Sequence, residues 1–149
     1  VALRSPGREL IAMESDNKQS VFDIHEEMAT LPETVDTMLA DKYFTDKESA
    51  SSRIFRIYRE LPLHYHHDCD EYLYIVSGRG LFHLDGNEYE AHPGAFLCFE
   101  RLKVHGFPRI DEHPFVVLSI DVPRRRPDDI VFIDSESNDA TTFMARNAK

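Results

Sequence analysis

Residues 64–78 read HYHHDCDEYLYIVSG. His64 and His66 are two apart, so on an extended chain both side chains fall on the same side, because successive strand residues alternate faces. His67 faces the other way if the strand continues. Glu71 then opens an aromatic and β-branched run over 71–76 that reads as a strand closed by Gly78. Two imidazoles and a carboxylate are thus spaced to meet where one extended segment turns into the next.

Working outward, the same texture continues on both sides. Residues 52–60 alternate as a strand, with Ile54, Arg56, Tyr58 and Glu60 on one side and Arg53, Phe55, Ile57 and Arg59 on the other. Downstream, Gly80 restarts the chain into 81–84, Asp85-Gly86 is a reversal signal, and 87–91 follow. Pro93-Gly94 marks another turn before 95–99. Residues 115–122 form the last long strand, stopped by Pro123, and 130–133 a shorter one. The intervals are too short for crossover helices, which predicts a mostly antiparallel all-β domain, closed or sandwiched. Apolar residues on both faces of 73–76 and 95–99 predict burial on both sides, with another subunit covering an outer face.

Before this block the chain is different. The first 20 residues are mixed and polar and read as a loose arm. Residues 23–31 predict a short helix: Asp23 can cap it, Glu26 completes a capping box, Ile24, Met28 and Leu31 share a face, and Pro32 ends it. Residues 35–39 read as a further turn or two. The expected division is an N-terminal arm with a short helix over 1–52, a β core over 53–133 and a C-terminal tail over 134–149, in which Phe143 and Met144 can dock locally.

Composition narrows the function. The 149 residues carry 17 Lys and Arg against 27 Asp and Glu, a net charge of −10. Such a field repels phosphate backbones and anionic lipid, so neither nucleic acid nor a membrane is an expected partner. No apolar run approaches the roughly 20 residues of a membrane span, and no signal-peptide pattern is present. The two cysteines, Cys69 and Cys98, exclude a four-cysteine zinc site and suit a reducing, cytoplasmic setting, with a pairing between them left open. Cys98, on a strand that reads as buried, is most simply a small core residue.

A single histidine in a strand is more often structural than a ligand, and His25, His92 and His113 have no companions. His64, His66 and the later His105 do, with Glu71 near the first pair. Three neutral nitrogens and a carboxylate suit Fe, Mn, Zn, Co or Ni rather than calcium.

The surrounding pattern resembles the cupin family. His64-Tyr65-His66, four residues, Glu71, six residues and Gly78 match the latter part of that family's first motif. Gly86, Pro93-Gly94, His105 and Phe107 match its second. Tyr58 stands at the first motif's leading glycine, Ala95 where many relatives have Asp, and Glu100 where many have Pro; no Asn follows His105 at the usual place. The resemblance implies a jelly-roll β-barrel with a short helical or irregular N-terminal extension. It also implies one divalent metal ion per chain (Fe, Mn, Zn or Ni), with His64, His66, Glu71 and His105 as its ligands.

It further implies a small-molecule substrate and a homodimer. Three chemistries fit: oxygenase, which the ligand set slightly favours, sugar isomerase of the phosphomannose isomerase type, and lyase. A non-catalytic binding or sensing domain is the alternative. Among neighbouring groups, Lys103 or Arg56 can hold a substrate anion, Tyr58 or His83 can move a proton, and Phe96 and Phe107 can line an apolar pocket.

Overall fold

The computed structural model describes residues 19–134 and 144–146. The arm over residues 1–18, Phe143 and most of the expected tail lie outside the described residues. Helix α1 (Ile24–Ala29) begins as the sequence suggests, with the Asp23 carboxylate accepting from the backbone N–H groups of His25 and Glu26. Residues 35–39 form no helical turn. They lead into strand β1 (Leu39–Lys47), which hairpins into β2 (Ala50–Ile57), so the sheet begins before the change of texture at Arg53. Asp41, Lys42 and Asp46 within β1 mask its strand character in the sequence.

The chain continues through β3 (Leu61–Tyr65), β4 (Asp70–Leu84), β5 (Asn87–Ala91), β6 (Phe96–Phe99), β7 (His105–Val122), β8 (Val131–Phe132) and β9 (Met144–Arg146). The ladder runs β5-β4-β7-β2-β1-β9, with β6 beside β4 and β3 bridging β7 and β8. All pairs are antiparallel except β1 with β9. Two long strands build the jelly-roll barrel. The first half of β4 pairs with β6 and the end of β7, and its second half pairs with β5 and the start of β7.

Gly78 does not close a strand; it lets one bend. It sits at φ +95°, and a Cβ there would lie 2.6 Å from the Phe115 Cα. The register of β4 against β7 shifts around it, so one continuous strand passes from one sheet to the other.

Inward residues of the strands meet in rows. Leu39, Ile57 and Phe115 occupy one row, and Phe55, Val117 and Ile75 the next, all buried. A second, smaller core lies on the outer face, where Ile24 and Met28 of α1 pack with Leu31 on Ile54 and Val116. The rest of that face is open. Tyr72, Tyr74, Phe96, Ile120 and Val122 are exposed, and Cys98 with them, so β6 is apolar on both faces but buried on one. Cys98 is therefore no core residue, and Cys69, which is buried, is free as well. No helix among the described residues is long and apolar enough to cross a membrane.

Candidate metal centre

The histidines assemble through strand register. His64 on β3 pairs directly with His105 at the start of β7. His66 follows two residues on, where Leu102 N–H donates to its carbonyl at 2.8 Å. One ring nitrogen from each of His64, His66 and His105 lies within 4.8 Å of the others, and all three residues are buried.

The backbone fixes the tautomer of every ring. His64 Nδ1 meets the Pro62 carbonyl at 2.7 Å, His66 Nδ1 the Asp129 carbonyl at 2.7 Å, and His105 Nδ1 the Lys103 carbonyl at 2.9 Å. A carbonyl can only accept, so Nδ1 carries the proton in each case and the neutral ring keeps its lone pair on Nε2. That is the arrangement in which three imidazoles bind a metal.

Glu71, at the start of β4, completes the group from one side. Its Oε1 lies 3.5 Å from His66 Nε2 and 3.3 Å from His105 Nε2, and its Oε2 lies 3.5 Å from Arg53. Burial, followed by repulsion from His105 and His66, pushes the His64 pKa well below the usual histidine value. Burial opposes ionisation of Glu71, and the imidazolium forms of His66 and His105 hold its carboxyl well below the usual carboxylate range, a support that the neutral rings do not give. The donor set fits a borderline divalent ion: three ring nitrogens aimed inward, with the Glu71 carboxyl group against two of them.

The cavity at the histidines is walled by Leu39, Phe55, Leu61, Leu73 and Phe107 and has about 20 Å³ of free space, room for an ion or a water but not for a metabolite. A family profile described as a cupin domain matches residues 58–121, the segment that holds all four of these polar residues. The barrel is a cupin domain.

Solved structures agree on the fold. KdgF from a Halomonas species is 20% identical, covers 62% of this chain and 87% of its own, and superposes with a TM-score of 0.55. A candidate mannose-6-phosphate isomerase from Ralstonia eutropha gives 17%, 63%, 92% and 0.57. A Klebsiella pneumoniae protein with a double-stranded β-helix domain gives 15%, 71%, 91% and 0.57. No curated protein matches the chain.

Within this cupin barrel, the other residues expected near the site separate. Phe107 is buried and lines the cavity. Arg56 and Tyr58 lie on the outer face of β2 and its continuation, where the Tyr58 hydroxyl and Arg56 both donate to the Pro32 carbonyl and the guanidinium stacks on the phenol ring. They anchor the segment after α1 and do not reach the histidines. His83 sits in the β4–β5 hairpin, accepting from Gly86 N–H. Lys103 pairs with Asp85 at the surface, and only its carbonyl serves His105. Phe96 is 61% exposed and stacks on Tyr72. Arg56, Tyr58, His83 and Phe96 point outward by strand parity, and Lys103 lies in the loop before β7.

The sequence reading missed Arg53. It shares parity with Phe55 and Ile57, which was the signal available, and it lines the cavity. Asp41 and Asp121, also buried, flank it. Asp121 stands opposite Glu71 in the ladder, and burial raises its pKa to about 6 against the pull of Arg53. Burial works against the charge on Arg53 as well, but Asp121 and Asp41 outweigh it and keep the guanidinium ionised.

Proposed function

We propose that this cupin domain is a metal-dependent enzyme acting on a small organic metabolite, with oxygenase chemistry as its reaction class. The observation that carries the reading is the three buried imidazoles, each held by a backbone carbonyl so that its second nitrogen is a donor. A divalent ion held by His64, His66 and His105, with Glu71 beside it, would supply Lewis-acid polarisation or, if redox-active, O2 activation. The apolar walls keep bulk water away from the reacting atoms and strengthen every polar contact inside. Arg53 is the only guanidinium or ammonium among the cavity-lining residues and is already engaged by carboxylates, which gives little support to a sugar-phosphate clamp.

The test is oxygen uptake by protein loaded anaerobically with Fe(II), screened against small hydroxylated and carboxylated metabolites. Substrate-dependent uptake that disappears in His105→Ala supports the oxygenase reading. Turnover with Mn, Zn or Ni and no oxygen consumption would replace it with isomerase or lyase chemistry. The tight cavity, about 20 Å³, favours a second reading, a binding or sensing domain with a structural metal. Tight metal binding without turnover of any screened compound would favour that one.

The homodimer belongs to the same proposal. Tyr72, Tyr74, Phe96 and Ile120 are register neighbours and form an uncharged exposed stripe on a chain in which 30% of residues are charged. A second copy of the chain is the occupant this face suits.

A further inference from the structure

Arg53 touches three carboxylates from three strands. Its Nε lies 3.2 Å from Asp121 Oδ2, Nη1 lies 3.4 Å from Asp41 Oδ2, and Nη2 lies 3.5 Å from Glu71 Oε2. All four side chains are almost fully buried. A cation that served only to neutralise this patch would have partners enough in Asp41 and Asp121. The contact with Glu71 does something more specific, because it divides the carboxylate: Oε2 faces Arg53 and Oε1 faces His66 and His105.

Charge completes the argument. Asp41, Asp121 and Glu71 outnumber the buried guanidinium groups of Arg53 and Arg125 that act on this patch, an expensive imbalance inside an apolar barrel unless countered. A cation at the histidines supplies positive charge on the side of Glu71 away from Arg53. We infer that Arg53 is a positioning residue of the metal centre: held by Asp41 and Asp121, it withholds Glu71 Oε2 and leaves Oε1 as the oxygen offered to the ion. The inference rests on the metal reading above and names which residue outside the ligand set governs it. A lysine could keep the charge but could not span three carboxylates at once.

The experiment is Co2+ titration of metal-free wild type, Arg53→Met, Arg53→Lys and Glu71→Gln, reading both affinity and the visible absorption bands of the bound ion. The expected result is one Co2+ per wild-type chain. Arg53→Met should bind at least about tenfold more weakly, the scale of lost support to a ligand, with bands displaced toward those of Glu71→Gln, and Arg53→Lys should fall between. Bands in Arg53→Met that superimpose on the wild type overturn the inference, whatever the variant's stability. If Arg53→Met does not fold, Arg53→Lys decides in the same way: displaced bands support it and superimposable bands overturn it. Folded wild type that takes up no Co2+ removes the metal reading and this inference together, whereas a wild-type spectrum in the Arg53 variants removes the inference alone.

Discussion

At the scale of single residues, the cupin site is a problem in burying polar groups, and its ring nitrogens and the Glu71 carboxylate have answers where one oxygen each of Asp41 and Asp121 has no hydrogen-bond partner. The three imidazoles spend one nitrogen on the backbone, Glu71 divides its oxygens, and Arg53 gathers three carboxylates. His64 carries a consequence for pH. Its folded-state pKa lies well below the value of about 6.5 expected in the unfolded chain, because burial and then its two neighbouring imidazoles disfavour the charged ring. Below about 6.5 the unfolded chain therefore binds a proton that the folded chain refuses, and stability falls as pH falls. Urea unfolding of chelator-treated protein at about pH 5.5 and about pH 8 measures it, with His64→Gln as the comparison. A shallower pH dependence in the variant is the expected outcome, and identical dependence in both would contradict the assignment.

At the scale of elements, the bend in β4 is what carries Glu71 and the β5 hairpin into one barrel. Gly78 and Gly94 share a φ of +95°, but only Gly78 has backbone where a Cβ would go; around Gly94 there is open space. Gly78→Ala should cost on the order of 3 kcal/mol and Gly94→Ala about 1 kcal/mol, since only the first adds a clash to the strained dihedral. Chemical denaturation of the pair separates the two terms, and equal losses would show that the close approach to Phe115 does not matter.

These elements also show what could be read from the chain. The strand phase of His64 and His66, the reversal at Asp85-Gly86 and the Asp23 cap are local signals, each written in a few adjacent residues. Strand β1 was illegible because its charged residues mask its alternation, although Asp41 is buried beside Arg53 of the hairpin partner β2. Arg56 and Tyr58 looked chemical by residue type, while Arg53 offered only its parity with Phe55 and Ile57, and its carboxylate partners come together only once β2 is paired with β1 and β7. Phe96 and Cys98 are apolar by type yet exposed, since one face of β6 has no layer over it.

At the scale of the molecule, two surfaces remain to be explained: an interior patch with more negative than positive charge and an exterior stripe with none. The homodimer proposal assigns the second. Tyr74→Glu should turn a dimer into a monomer of half the mass by light scattering while leaving far-ultraviolet circular dichroism unchanged; unchanged mass would show that this face is not the interface. The proposed metal centre would account for the first, and its direct test is the metal content of the protein by native mass spectrometry, for wild type and for His64→Ala, His66→Ala and His105→Ala. The account predicts one divalent ion per wild-type chain, absent from all three folded variants. An ion retained in any two of them, or none in the wild type after exposure to Fe, Mn, Zn and Ni, would contradict it.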